Sequence, residues 1–312
     1  MVNARAAALN PCGNLGSQEN TLQLIQEQKV VTSFVDSSSH GQIETLPNRF
    51  ETSDVVLRRD NQVVLAVFDN SFHVGALCTP FGRSLNCTDQ LLAWPDASLA
   101  TETSGFEGIT YNPIDDTYFI AQETIKTDKK KVFRANIFET RIVSTNSIPI
   151  RVLESCIVNW NFASDNKGIE GLEFVSHQGT ESCSWEPIGT IAMPTWVHFG
   201  DYSALSIYHR KAIDLPAYVA VTSQERSQVW VGMIEEINQA PFFSLSSLNN
   251  NTIYDLPRTS VTTPECGMKY CNIEGVAWQG GNELILVSDK AKTDQDTQCI
   301  EKDQSVHYFF LP

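Results

Sequence analysis

The sequence lacks most of the features that would assign it to a common functional class. No hydrophobic run is long enough for a membrane-spanning helix. There is no Gly-x-Ser-x-Gly turn, no His-Glu-x-x-His motif and no glycine-rich phosphate loop. No two cysteines have the Cys-x-x-Cys spacing of zinc knuckles and thioredoxin-like redox sites. The sequence therefore predicts neither a transmembrane segment nor one of the best-known hydrolase, nucleotide or zinc sites.

Basic residues are also scarce relative to acidic ones. The 312-residue chain has 22 Lys and Arg against 37 Asp and Glu, which gives a formal charge of −15. Such a charge disfavours nucleic acid and anionic membrane surfaces as partners. The hydrophobic fraction of 42% and the aromatic fraction of 10% are typical of a packed globular protein. We expect the partner to be a small molecule or a protein. The composition does not identify it further.

Eight cysteines, an even number, favour disulfides and an oxidising compartment. Two N-glycosylation sequons, at Asn86 and Asn250, agree with this and predict a secreted glycoprotein in the extracellular space or an organelle lumen. Residues 1–10 lack the apolar core of a signal peptide, so we expect a processed form. The alternative is a cytoplasmic protein with eight free thiols. The predicted pairs are Cys78–Cys87, Cys156–Cys183 and Cys271–Cys299, which leaves Cys12 with Cys266.

A Glu-Gly pair flanked by apolar residues occurs three times, starting at Glu107, Glu170 and Glu274. The first and the third copy continue into a turn and a second apolar run, which ends in an acid at Glu123 and Asp289. This pattern predicts a strand, a tight turn and a second strand. After the second copy the apolar run is replaced by polar sequence, so we expect an irregular blade there.

Divergent copies of one hairpin at intervals of tens of residues indicate the blades of a β-propeller. Five such units are recognisable, and residues 146–163 are the candidate for a further blade. We predict an all-β fold, a single β-propeller of six four-stranded blades, with five or seven blades as alternatives. Residues 1–28 are predicted to be an N-terminal leader segment and residues 29–312 the propeller domain. Propellers commonly close their ring by pairing terminal strands, so residues 29–35 are expected to pair with residues 306–310.

The phrases Phe106-Glu-Gly-Ile-Thr-Tyr111 and Ile273-Glu-Gly-Val-Ala-Trp278, with Gln-Glu or Ser-Asp ending the second strand, resemble those of one propeller superfamily. It contains the SdiA-regulated proteins and the "esterase-like activity of phytase" proteins. The resemblance covers roughly residues 50–310 through short phrases, and it implies the fold above all. It also implies an extracytoplasmic location, and calcium is a recurrent ligand among the phytase-like propellers.

Because the first strand of each blade lines the channel of a propeller, the repeat places Glu107, Glu170 and Glu274 around one channel mouth. Three carboxylates near one axis repel each other unless protons or a cation neutralise them, and hard oxygen ligands favour calcium. We therefore predict a calcium site at these three glutamates. The alternative is that each of them accepts hydrogen bonds from backbone amides and joins adjacent blades.

A second set of acids follows the second strands, and we expect it to cap turn amides rather than to bind a ligand. This set consists of Asp69, Glu123, Glu225 and Asp289. The histidines lack metal-ligand spacing, and His198, between two predicted blades and beside aromatic residues, is the one candidate functional histidine.

Two functions are compatible with these residues. The first is an extracytoplasmic β-propeller that acts as a ligand- or protein-binding scaffold and is stabilised by calcium. The alternative is a metal-dependent phosphoric-ester hydrolase of the phytase or esterase type, in which calcium would clamp a phosphate and activate water. The scaffold is preferred because the sequence has no catalytic motif, and no catalytic residue is predicted.

Overall fold

The computed structural model describes residues 20–30, 34, 50–58, 60, 62–80, 87–99, 102–127, 132–143, 149–164, 168–175, 185–197, 199–209, 217–236, 243–245, 251–259 and 267–312. These residues form seventeen β-strands in four antiparallel sheets, with only short helices. The predicted all-β propeller is confirmed at this level. The described residues contain no helix of the length and apolarity that a membrane span requires.

Each sheet is one blade, and we number the blades I to IV along the chain. Blade I contains β2 (Thr52–Leu57), β3 (Val63–Phe68), β4 (Ser71–Cys78) and β5 (Gln90–Ala93). Blade II contains β6 (Phe106–Asn112), β7 (Thr117–Thr127), β8 (Val132–Ile142) and β9 (Ile150–Ile157).

Blade III contains β10 (Leu205–Tyr208), β11 (Ala217–Ser223), β12 (Gln228–Glu236), β13 (Phe243–Leu245) and β14 (Thr252–Asp255), and the last two both pair with β12. Blade IV contains β15 (Ile273–Gly280), β16 (Glu283–Ser288), β17 (Ser305–Phe310) and β1 (Gln23–Lys29). A short helix, α1 (Thr297–Lys302), lies between β16 and β17.

The strands form where β-branched and apolar residues are dense, and the hydrophobic core lies between neighbouring blades. All six residues of β3, Val-Val-Leu-Ala-Val-Phe, are buried because this strand is central in its sheet and is covered on both faces. Its side chains alternate between two clusters. Val64 packs with Ile285 of blade IV, whereas Leu65 packs with Phe106 of blade II. Because its side chains point alternately to the two faces of the sheet, β3 packs against both neighbouring blades.

The first strands of the four blades line a ring, and a fifth segment completes it. β15 contacts β2, β2 contacts β6, and β10 contacts β15. Residues 168–175 lie between β6 and β10, where the Phe174 amide donates to Thr110 Oγ1 at 2.9 Å and Glu173 accepts from the Ile207 amide at 2.8 Å. No strand is assigned within 168–175. The ring therefore has five inner segments, of which four belong to blades.

The prediction of six blades is wrong for the described residues, which form four. Two stretches account for the difference. Residues 146–163 were the candidate for a further blade, but Ile150–Ile157 is β9, the outer strand of blade II. The unit that starts at Glu170 lies where the inner strand of a blade would lie. Among the described residues it has no sheet of its own. The polar sequence that follows it lacks the apolar residues that a buried second strand needs.

Strands from the two ends of the described chain pair, as the propeller interpretation predicts, but the partner segment differs. β1 pairs with β17 from Gln23 opposite Phe310 to Lys29 opposite Ser305. The strand therefore occupies residues 23–29 rather than 29–35, and it includes part of the predicted leader segment. It covers the outer side of β17, which would otherwise be an exposed edge.

Two predicted disulfides are formed. Cys78 bonds to Cys87, and Cys271 bonds to Cys299. Both are consistent with an extracytoplasmic protein. Cys156 is disulfide-bonded as well. The remaining predicted pairings involve Cys12, Cys183 and Cys266, which lie outside the described residues, as do the sequons at Asn86 and Asn250.

Candidate functional site

The Glu-Gly repeat coincides with a β-bulge at the start of the inner strand. Register shifts occur between Thr52 and Asp54 in β2, between Phe106 and Gly108 in β6, and between Ile273 and Gly275 in β15. One residue in each strand is left without a cross-strand partner, which re-aims its side chain. The bulged residues are Ser53, Glu107 and Glu274. Blade I thus has a serine where blades II and IV have the glutamate.

The glycine that follows the glutamate permits close contact between successive inner segments. A Cβ atom on Gly275 would lie 2.7 Å from Asp54 Cα, and one on Gly108 would lie 2.9 Å from Leu172 N. Both distances are shorter than carbon and nitrogen atoms tolerate, so a side chain at either position would separate two neighbouring segments. The Glu-Gly pair therefore combines a close backbone approach with a bulged glutamate.

The three repeat glutamates line one cavity of about 480 Å³ at one end of the ring, which we call the acidic cavity. Their predicted convergence is therefore observed, although it does not test whether they bind a metal. Further carboxylates line the same cavity. All eight are Glu51, Asp69, Glu107, Glu123, Glu170, Asp201, Glu274 and Asp289, and the other lining residues are Gly200, Tyr202, Ser203 and Gln224.

The second set of predicted acids contributes to this cavity with one exception. The amides of Asp69, Glu123 and Asp289 each donate to a carbonyl just before the bulge, at 2.7–2.9 Å, so these three residues are equivalent. In blade III the cavity position is taken by Gln224, whereas the exposed Glu225 does not line the cavity. Glu225 therefore is not equivalent to the other three acids, because the aligned position is one residue earlier in this hairpin.

Three lining residues were not predicted from the sequence: Glu51, Asp201 and Gln224. Asp201 is fully engaged with its own blade, since it accepts from Ser223 Oγ at 2.7 Å and from the Gln224 amide at 2.8 Å. Glu51 pairs with Lys290 Nζ at 2.9 Å. Alignment of the hairpins would have found Glu51 and Asp201, because Glu51 lies two residues before Ser53 and Asp201 lies two residues before Ser203. His198, the candidate histidine, lies outside the described residues.

The electrostatics of the acidic cavity disfavour full ionisation. Burial, with the charges of Asp69, Glu170 and Glu123, raises the pKa of Glu107 to about 9. Burial and the nearby Asp289 hold the pKa of Glu274 well above its usual range. At neutral pH the cavity therefore retains protons unless a cation replaces them.

The pKa values of two acids at strand ends are raised as well. Burial, opposed in part by the Lys290 amide, raises the pKa of Asp289 to about 7. Burial and the charge of Glu51 raise the pKa of Asp69. Asp289 Oδ1 is a buried oxygen without a hydrogen-bond partner in the structure. This acceptor could be satisfied by a cation or by a donor group of a ligand.

The hydrogen bonds of two repeat glutamates are with side chains rather than with the amides of a neighbouring blade. Ser53 of blade I hydrogen-bonds to Glu107, and Gln224 Nε2 of blade III contacts Glu274 Oε1. Two other carboxylates form the amide bonds between blades. Asp54 Oδ2 accepts from the Ile109 amide at 3.0 Å, and Glu173 accepts from the Ile207 amide.

As the side chains are positioned, no three Asp, Glu, His or Cys residues within the described ranges form a group that could hold a metal ion. A shared ion would need the carboxylates to turn toward a common point in the cavity. The cavity is large enough for an ion with several waters, which calcium sites often include. Calcium at Glu107, Glu170 and Glu274 therefore stays a prediction.

No protein family matches the chain, and no curated protein matches it either. Solved structures are similar to it only at low identity. The PQQ-bound aldose sugar dehydrogenase from Streptomyces coelicolor is 11% identical, with a TM-score of 0.27 over 84% of this chain. The chain spans 62% of the length of that protein.

The other two similarities are equally distant. Hydrazine synthase from Kuenenia stuttgartiensis is 8% identical, with a TM-score of 0.35, and the match covers 80% of this chain and 77% of that one. The β-propeller domain of Cps50 (Swd1) from Myceliophteria thermophila is 7% identical, with a TM-score of 0.26, and the match covers 84% of each chain. At sequence identities and TM-scores this low, the functions of these proteins cannot be transferred to this chain. The resemblance to the SdiA-regulated and phytase-like proteins therefore stays a prediction.

Proposed function

We propose that this protein is an extracytoplasmic β-propeller that serves as a binding scaffold and holds a calcium ion in its acidic cavity. Glu107, Glu170 and Glu274 are the proposed ligands, with carbonyls and waters completing the coordination. The observation that supports the proposal is the convergence of eight carboxylates on one cavity. The pKa values of four of them, Asp69, Glu107, Glu274 and Asp289, are raised. A divalent cation would neutralise charges that otherwise require protons.

Calcium is expected to raise the melting temperature of the protein, because a ligand bound only to the folded state stabilises it by mass action. The measurement is thermal unfolding at about pH 8, with EDTA or with millimolar calcium, together with calorimetric titration. Glu274→Gln should weaken calcium binding at least about tenfold, since it removes one charged ligand.

The matched control for this experiment is Glu154→Gln. Glu154 is an exposed residue of β9 and does not line the acidic cavity. This variant should bind calcium like the unchanged protein. The proposal fails if calcium leaves the melting temperature unchanged, or if Glu274→Gln and Glu154→Gln bind it equally well.

A metal-dependent phosphoric-ester hydrolase is the second candidate, and Lys290 favours it. Its ammonium group lies 2.9 Å from Oε1 of Glu51, which lines the cavity, and from there it could reach a phosphate held by a cation. If this function is correct, p-nitrophenyl phosphate should be hydrolysed with calcium and not with EDTA. Lys290→Met should then lower kcat/KM while calcium binding persists. Calcium binding without turnover would leave the scaffold as the function.

A further inference from the structure

A second cavity, of about 680 Å³, lies at the opposite ends of β10 and β15 from the acidic cavity. The acidic cavity is lined by Ser203, just before β10, and by Glu274 at the start of β15. The second cavity is lined by Tyr208, the last residue of β10, and by Trp278, toward the end of β15. The two cavities are therefore separate sites on the same pair of blades.

Aromatic side chains dominate this second cavity, which we call the aromatic cavity. Tyr208 and Tyr218 are cross-strand partners on β10 and β11. The Trp278 ring lies 5.5 Å from the Tyr208 ring and 6.3 Å from the Tyr218 ring, at interplanar angles of 33° and 40°. Tyr254 of β14 also lines the cavity. The first three rings are thus tilted by modest angles and form a platform that spans two blades.

The platform is held in place by a hydrogen bond. Trp278 Nε1 donates to the Ser206 carbonyl at 3.1 Å, which fixes the indole orientation and ties β15 to β10. Trp278 is 7% exposed and anchors the platform in the core, whereas the three tyrosines are only partly buried. A rigid aromatic surface of this kind binds a ligand with little loss of side-chain freedom.

The side chains that line the aromatic cavity are uncharged. Apart from the four aromatic residues, it consists of Val231, Thr252, Gly281, Asn282, Leu311 and Pro312. Tyrosine hydroxyls, Thr252 and Asn282 supply both donors and acceptors of hydrogen bonds. Such a lining suits a ligand that itself has an apolar face and several neutral polar groups.

We propose that the aromatic cavity binds a neutral saccharide. The C–H face of a sugar ring would pack on the rings of Tyr208 and Tyr218, which Trp278 supports from the core. Its hydroxyls would exchange hydrogen bonds with the polar groups of the lining. An organic cation is the less suitable ligand for two reasons. In a protein with a formal charge of −15, none of the described residues lining this cavity is acidic. The first three rings are also not arranged as perpendicular walls around one point.

Saturation-transfer NMR and calorimetry on the full chain test this proposal. The probes are methyl β-glucopyranoside, methyl β-galactopyranoside, methyl α-mannopyranoside and cellobiose, with choline as the cationic alternative. Ring protons of at least one sugar should receive saturation from the protein at concentrations up to about 10 mM. Tyr208→Ala and Tyr218→Ala should each weaken this binding at least about tenfold.

Tyr208→Leu accompanies these variants because it keeps an apolar side chain against the core while removing the aromatic face. It should fold and should lose sugar binding to a similar extent. Tyr111→Ala is the matched control, since Tyr111 lies on β6 of blade II outside the aromatic cavity. The proposal is overturned if no probe sugar binds, if choline binds in place of the sugars, or if the folded Tyr208→Leu protein binds sugar like the Tyr111→Ala control.

Discussion

Replacing Glu173 with alanine is expected to lower the free energy of unfolding by about 3–5 kcal/mol. The Glu173 carboxyl group accepts hydrogen bonds from Thr110 Oγ1 at 2.8 Å and from the Ile207 amide at 2.8 Å. It thereby connects β6 of blade II to β10 of blade III across the segment 168–175. Burial raises the pKa of Glu173 in spite of these bonds, so the donors that alanine would leave unpaired are shielded from water.

Glu173→Gln is the informative companion to the alanine variant. Its amide oxygen can keep one of the hydrogen bonds, whereas its NH₂ group meets a donor at the other, so we expect a loss of about 1–2 kcal/mol. Glu154→Ala, on the exposed face of β9, should change stability by less than about 0.5 kcal/mol. Urea unfolding measures all three. An alanine variant within about 1 kcal/mol of the unchanged protein would show that Glu173 does not join the blades.

The role of Glu173 could not be predicted from the sequence. The Glu-Gly repeat correctly predicted that Glu107, Glu170 and Glu274 converge, because equivalent positions of a ring must face the same axis. The alternative interpretation of the repeat was that these same three glutamates join adjacent blades. In the structure Glu173 and Asp54 have that role, since each projects to the neighbouring segment while the bulged glutamates project into the cavity. A bulge cannot be located from apolar patterning alone, because it changes the register by one residue.

The number of blades was mispredicted for a related reason. Hairpin spacing identifies strands that carry their own apolar residues, such as β3 and β16. It cannot show whether an inner segment such as 168–175 has a sheet behind it, because that segment is held by side chains such as Glu173 and by contact between Gly108 and Leu172. Tertiary contacts of this kind leave no periodic pattern in the sequence.

Without divalent cations, stability is expected to fall as the pH rises from about 6.5 to about 9. Burial and neighbouring carboxylates raise the pKa of Glu107 to about 9, and burial raises that of Asp289 to about 7. In the unfolded chain both groups titrate near pH 4 and are ionised throughout this interval. The folded protein then binds more protons than the unfolded chain, so their contribution is complete below about pH 4 and is lost as the pH passes the folded pKa values.

Two buried histidines act in the opposite direction and set the lower limit of the interval. Burial lowers the pKa of His73 and of His307, and the Glu27 carboxylate beside His307 opposes this shift in part. Their contribution is present above the unfolded histidine pKa, about 6.5, and is lost as the pH falls below it. Below about pH 6.5 the two histidines therefore oppose the change that the cavity carboxylates cause. Between about pH 6.5 and about pH 9 only the carboxylates among these groups contribute, so this interval reports on the cavity.

Glu107→Gln separates the two sides of this profile. Glutamine is uncharged at every pH, so the variant should lose part of the decline above about pH 6.5 and keep the contribution of the two histidines below it. The decline in melting temperature between about pH 6.5 and about pH 9 is expected to be on the order of 5 °C or more in EDTA. Calcium in the acidic cavity should make this decline in melting temperature smaller, because the ion replaces the protons. A melting temperature that is constant or rises over this interval in EDTA would contradict the repulsion between carboxylates from which the calcium proposal begins.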